Sequence, residues 1–209
     1  MPLQNRVTPT GEIVSEPARG TLMGNRGCIH GLDRRLGTSR WRTKMWISCV
    51  LDWRGRRRDV MTPNSWTALF FLDEATALAA GHRPCGYCRR ADYASFVECW
   101  RAGHGLARRR RAFEMDAEMH AERVDRRTRR QVTRPALIDT LPSGVMVRHG
   151  GEVALLSGGE LLPWSFGGYG APVAVRPDTT VELLTPPTIA TVLAAGYRPL
   201  LHPSADRSR

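Results

Sequence analysis

Lysine is almost missing from this 209-residue chain: Lys44 is the only one, and every other one of its 31 basic residues is arginine. A GC-rich genome produces that bias without selection, so arginine over lysine says little by itself. Acidic residues are also short. Twenty Asp and Glu leave a net charge of +11 and a pI near 10.6, a balance that favours a polyanionic partner. Long apolar runs are missing too: nothing approaches the roughly 18 consecutive apolar residues of a membrane span. The opening "MPLQNRVTPTGEIVSEPARG" lacks the apolar centre of a secretory signal, and the chain reads as cytoplasmic. In that compartment the five cysteines, Cys28, Cys49, Cys85, Cys88 and Cys99, are expected as thiols or metal ligands, and disulfides are excluded. A domain of this length buries about 70% of its unfolded surface, so a metal is not obligatory for folding.

What is there begins with punctuation. Residues 1–18 are polar and rich in turn formers, and are expected as a flexible arm. "KMWISCVLDWRGR" alternates, with Met45, Ile47, Cys49, Leu51 and Trp53 on one side; this predicts a half-buried strand with Cys49 on its apolar face. "SWTALFFL" predicts another strand. Asp73 is an N-cap for a helix that stops at Gly81, Asp92 caps the next as far as Gly103, and a third is expected over about Leu106 to Arg130. Beyond Pro135 the chain turns to short strands with glycine turns, and a last helix starts at a proline and stops at a glycine. Residues 203–209 read as a frayed tail.

One phrase occurs twice, "ATALAAGHRPCGYC" from Ala75 and "ATVLAAGYRPLLH" from Ala190. Each is a short apolar helix, a glycine stop, a ring and Arg-Pro, and proline makes the arginine before it extended. His82 in the first copy corresponds to Tyr197 in the second, which points to a need for a flat ring and not for a ligand. Only the first copy carries cysteines. Cys85 and Cys88 form a C-x-x-C half-site for tetrahedral zinc, or a redox pair of the thioredoxin type. The absence of alternating strands and helices around the pair favours zinc. Cys49 is the best third ligand, "GCIH" offers Cys28 and His30, and Cys99 sits where core packing is expected.

Residues 66–90, "…FFLDEATALAAGHRPCGYCRR", resemble the zinc-binding N-terminal domain of the Ada family of DNA methyl-phosphotriester repair proteins. The likeness lies in the aromatic pair, the acidic helix start, the alanine-rich helix, Gly-His-Arg-Pro and C-x-x-C. It implies zinc at Cys85 and Cys88. It does not carry over alkyl transfer, because the family sets its other two cysteines as C-x-x-x-C on the preceding segment, and "LDWRGRRRDV" has none. "MGNRG", "WISC" and "LLPWS" also resemble a group of uncharacterised bacterial proteins.

From Arg34 to Arg58 nine basic residues face a single acid and alternate with Trp41, Trp46 and Trp53. Arg40, Arg42, Lys44, Arg54, Arg56 and Arg57 are therefore candidates for phosphate contacts, with further arginine runs at 108–111 and 126–130. In "RAFEMDAEMHAERVDRR", Phe113, Ala117 and Val124 can face a core. Asp116 and His120 stand four residues apart on one helix face, which suits acid–base chemistry. Trp164 and Tyr169 in "LLPWSFGGYG" are candidates for stacking on a base. The expectation is an α+β protein with a small zinc-stabilised Ada-like unit over 19–104, a basic linking helix over 105–134 and a small β-rich unit over 135–202. Its expected function is zinc binding with nucleic-acid, chiefly DNA, binding in repair or processing. The alternatives are a nucleic-acid hydrolase or DNA glycosylase using Asp116 and His120, and a non-catalytic interaction protein in which zinc holds the fold.

Overall fold

The computed structural model describes residues 2–55 and 59–206; Arg56 and Arg57 lie outside them. Within the described residues, short alternating segments pair into a mixed six-stranded sheet. Its strands are β1 (Gln4–Val7), β2 (Ile13–Ser15), β3 (Leu22–Asn25), β4 (Ile47–Val50), β5 (Leu69–Phe71) and β6 (Arg83–Pro84). Their spatial order is β2-β1-β5-β3-β4-β6. The expected loose arm is thus a hairpin docked on the sheet. Val7 pairs with Ile13 and both are buried, while β1 runs parallel to β5. Two inward apolar residues suffice to dock it, and polar neighbours hide them in the sequence.

Local capping chemistry works as the sequence predicts at α1 (Glu74–Ala79). The Asp73 carboxylate accepts from the Thr76 amide at 2.9 Å, and Gly81 leaves the helix at a φ of 80°. Helix α2 (Arg90–Gly103) begins two residues ahead of Asp92, which lies in its first turn and pairs with Arg89 at 2.8 Å. Helix α3 (Ala112–Arg123) is shorter than expected. The flanking arginine runs give a helix nothing to bury, and Val124 leaves the helix to bridge to Gln131. Of the three residues expected to face a core, Val124 is buried while Phe113 and Ala117 are exposed. Phe113 is 64% exposed, whereas Met115 and Met119 are wholly buried, with Asp116, His120 and Arg123 beside them. Polar groups lie on that face because each finds a partner there.

The later strands form an antiparallel seven-stranded sheet: β7 (Arg134–Leu137), β8 (Met146–His149), β9 (Glu152–Ser157), β10 (Glu160–Ser165), β11 (Gly168–Tyr169), β12 (Val173–Ala174) and β13 (Thr180–Leu183). The last helix, α4 (Pro187–Ala194), packs against α2. One core joins Leu78, Phe96, Trp100, Met115 and Met119 to Val147, Leu156, Val181 and Val192. Residues of the expected N-terminal unit and of the expected β-rich unit therefore meet in a common interior. No helix among the described residues is long and apolar enough to cross a membrane.

The repeated phrase has a structural use. Its two copies are tied together by the buried pair Asp73 and Glu74. Glu74 accepts from the Tyr197 hydroxyl at 2.7 Å, the Leu200 amide at 2.8 Å and Arg89 at 2.7 Å. Asp73 accepts from the Tyr169 hydroxyl at 2.8 Å and the His202 amide at 3.1 Å. Both carboxylates are fully buried, and charge-assisted bonds of this kind are the strong ones. Each acid therefore caps or opens one copy while gripping the exit of the other.

Candidate metal centre

Cys49 lies on β4, and Cys85 follows β6, the two-residue strand that Pro84 ends. β6 runs parallel to β4, with Ile47 opposite Arg83 and Ser48 opposite Pro84, and the Cys85 amide donates to the Ser48 carbonyl at 2.9 Å. This register brings the C-x-x-C turn beside Cys49. The turn closes with the Arg89 amide on the Cys85 carbonyl at 3.0 Å, and the Tyr87 amide points at the Cys85 sulfur at 3.4 Å. Arg89 clamps the whole from behind, donating to the Ser48 hydroxyl at 3.0 Å and to Glu74.

The three sulfurs of Cys49, Cys85 and Cys88 lie within 4.8 Å of one another, with Cys85 buried and the other two half-buried. Their protons are shared unevenly. Cys85 is lowered to about 5 because the Cys49 thiol donates to it, against the opposing effect of burial. Cys49 is pushed far up by that same bond and by burial, and burial raises Cys88. Three soft sulfur donors on two chain segments form a donor set suited to zinc. They are one short of a closed four-ligand site. A C-x-x-x-C pair would place its second thiol four residues beyond Cys49, and that position is Trp53. Trp53 lies against Tyr87 at a tilt, their centroids 5.5 Å apart, and both line an apolar cleft of about 470 Å³ with Met23, Phe70 and the three cysteines.

The remaining candidates are placed elsewhere. Cys28 is exposed, its sulfur 3.8 Å from the His30 carbonyl. The His30 ring bonds to the Thr67 hydroxyl at 2.7 Å and to the Thr62 carbonyl at 3.2 Å. "GCIH" therefore shapes a loop and adds nothing to the sulfur cluster. Cys99 packs against the core. His82 is a ring packed among aromatics, as its counterpart Tyr197 implies, 4.7 Å from Phe71 in an edge contact and 5.2 Å from Trp46 at a tilt.

Asp116 and His120 do not form a dyad. Asp116 gives both oxygens to Arg83, at 2.8 and 2.9 Å, in a pair with both side chains buried. His120 instead has Arg123 at 3.2 Å from its Nδ1 and edge contacts with Trp41 and Trp46. Burial, then Arg123, Lys44 and Arg126, lower it to about 4. Burial and neighbouring cations, with no carboxylate opposing them, keep its ring neutral. Trp164 and Tyr169 are likewise turned inward: the Trp164 indole donates to the Thr76 hydroxyl at 3.1 Å, and Tyr169 is buried on Asp73.

Of the expected phosphate contacts, Arg42, Lys44 and Arg54 are exposed, and Arg40 is half-buried on the wall of a second cleft. Sequence reasoning missed Asp73 and Glu74 as buried hubs, and Arg26 and Arg123 as buried cations. For the last two the sequence carries no signal: Arg123 stands beside Glu122 and two residues before Asp125, which makes it look like an ordinary surface arginine. No protein-family model, curated protein or solved structure matches the chain; what the structure supports is a three-cysteine cluster that could hold a metal ion.

Proposed function

We propose that this is a zinc-binding protein that binds nucleic acid, DNA in the first instance, in repair or processing. The observation that carries the assignment is the Cys49, Cys85 and Cys88 cluster, set on a sheet face next to a tryptophan- and arginine-bearing segment. A third cysteine within reach of the C-x-x-C pair favours a metal over a two-cysteine redox couple. Cys49, Cys85 and Cys88 would hold the ion, and when bound it would supply a cross-link between β4 and the start of α2 and keep the thiolates deprotonated.

The chain's own residues do the rest. Arg89, fixed by Glu74 and Asp92, orients the C-x-x-C turn. Arg42, Lys44 and Arg54 are free to neutralise phosphates, and Trp53, half-buried under the Arg54 guanidinium at 5.0 Å, offers an aromatic edge beside the cleft. Such contacts are electrostatic and insensitive to sequence in the main.

The test is the salt dependence of binding to a short labelled DNA, followed by fluorescence anisotropy. Affinity is expected to fall linearly in a log–log plot as salt rises, and each of Arg42→Gln, Lys44→Gln and Arg54→Gln to shallow the slope by about 1. Binding that is absent at low salt, or indifferent to salt, would end the nucleic-acid assignment.

A further inference from the structure

A second cleft, larger than the one beside the cysteines, lies on the other face of the first sheet. Along β3 and β4 successive side chains point to opposite faces. Asn25 and Ile47 line the cysteine side, and their neighbours Arg26 and Trp46 line the opposite cleft, whose volume is about 720 Å³. Six arginines border it, Arg26, Arg40, Arg123, Arg129, Arg130 and Arg148, against two carboxylates, Glu12 and Glu182. Glu182 is already taken by Arg148 and the Thr133 hydroxyl, each at 2.5 Å.

Two of these arginines are unusual. Arg26 is 3% and Arg123 is 1% exposed. Their guanidinium carbons stand 4.1 and 3.7 Å from the centroid of Trp46. Among the described residues neither forms an ion pair. Arg26 bonds to the Gly11 carbonyl at 3.0 Å and to His82 Nε2 at 3.4 Å. Arg123 bonds to the carbonyls of Gly81 and Lys44 and to His120 Nδ1. Arg26 Nη2 and Arg123 Nε are buried with no acceptor at all. Asp116, whose charge reaches Arg123, is spent on Arg83. Burial, with Arg40 nearby, lowers Arg26 to about 9.

Burying a cation without a counter-charge is costly, and the faces of one indole offset only part of that. An anion in the cleft would supply the remainder. Guanidinium groups recognise oxyanions through forked donors, and a phosphoryl group brings enough oxygens and charge to engage several arginines, where a carboxylate brings fewer. A cleft of this volume, within the usual range for a small-molecule site, also has room for what the phosphoryl group is attached to. Trp41 lines its wall, half-buried.

We propose that this cleft is a phosphoryl-binding site, with Arg26 and Arg123 as its buried cations, Arg40 as the third donor and Trp41 as the surface on which an attached ring stacks. The phosphoryl group comes from a free phosphate ester or from a nucleic-acid strand; the chemistry of recognition is the same. The site requires neither the metal centre nor nucleic-acid binding.

The experiment uses the full chain in chloride buffer, with calorimetric titration and thermal unfolding. The probes are inorganic phosphate, a nucleoside monophosphate, a short single-stranded oligonucleotide and, as the control, acetate. At least one phosphorylated probe is expected to bind and to raise the unfolding temperature, while acetate does neither. Arg26→Met and Arg40→Gln are each expected to weaken that binding at least about tenfold. Arg26→Met removes a cation without a counter-charge, so in chloride alone it should be no less stable than the wild type. Should Arg26→Met fail to fold, Arg40→Gln, half-buried and not part of the core, carries the test. A monophosphate as tight as the oligonucleotide identifies the free ester, and would leave this site standing even if strand binding failed. Response to the oligonucleotide alone identifies a strand. Indifference of the wild type to all three phosphorylated probes, or wild-type affinity in the foldable variants, would overturn the proposal.

Discussion

Asp116→Ala separates a structural carboxylate from a catalytic one. In the folded chain Asp116 meets Arg83 through two parallel bonds, at 2.8 and 2.9 Å, with the two side chains only 5% and 4% exposed. Removing the carboxylate leaves Arg83 buried with the Pro84 carbonyl and the ring face of Tyr93 for company. A buried pair broken from one side costs about 3–5 kcal/mol, most of it the unpaired charge left behind. For a chain of this size each kcal/mol lowers the unfolding temperature by about 2–4 °C, so a loss of roughly 6–20 °C is expected. The assay is urea unfolding at pH 7 with the denaturant slope compared between variants, so that the midpoint shift reports stability alone. The double variant Arg83→Met with Asp116→Leu should recover most of the loss, because apolar replacement of a whole buried pair is close to neutral. Because Arg83 and Pro84 lead directly into Cys85, Asp116→Ala should also weaken metal retention. A loss below about 1 kcal/mol for Asp116→Ala, with no recovery in the double variant, would mean that Arg83 reaches water and that the pair does not hold α3 to β6.

Further perturbations test the other contacts. Gly81 sits at a φ of 80°, and a Cβ there would lie 2.3 Å from Arg123 Cδ, so Gly81→Ala should cost about 2 kcal/mol or more in chemical unfolding; a neutral effect would deny both the left-handed backbone at Gly81 and the contact with Arg123. Tyr197→Phe removes a 2.7 Å hydrogen bond to buried Glu74 and should cost about 1.5–3 kcal/mol, where a change within a few tenths would deny the tie between the two repeated phrases. Stability should also fall as pH drops below 6.5. Burial, then Arg26 and Arg123, hold His82 well below its ordinary value, and His120 is lowered from 6.5 to about 4. The unfolded chain therefore takes up protons that the folded chain refuses, with a slope of up to about 1.4 kcal/mol per pH unit for each histidine. The groups facing them are Arg26 and Arg123 around His82, and Arg123, Lys44 and Arg126 around His120. Urea midpoints that are flat from pH 6.5 to 4.5 would refute this.

What the sequence disclosed was local. The Asp73 cap and the Gly81 stop are decided within a turn. Cys85 and Cys88 announce themselves by spacing, and Cys49 was found because strand alternation put it on the same side as Ile47. What stayed hidden was long-range. Nothing near Glu74 says that Tyr197 will reach it across 123 positions. Nor does anything near Arg26 say that its indole neighbour will be shared with Arg123. Alternation in "KMWISCVLDW" was read correctly as a strand, yet its more deeply buried side is the one holding Trp46 and Ser48, because guanidinium groups and a hydroxyl network fill that side in place of aliphatic carbon. The inward side of α3 stayed hidden for the same reason: hydrophobicity points to Phe113, while the partners of Asp116 and Arg123 turn Met115 and Met119 inward.

The most direct test of the central claim is the metal content of the purified wild type beside Cys49→Ser, Cys85→Ser and Cys28→Ser, measured by elemental analysis. One zinc per wild-type chain is expected, lost or sharply reduced in Cys49→Ser and Cys85→Ser and kept in Cys28→Ser, as the three sulfurs within 4.8 Å require. A wild type without metal after zinc supplementation, or zinc kept in Cys49→Ser and lost in Cys28→Ser, would contradict the three-cysteine centre.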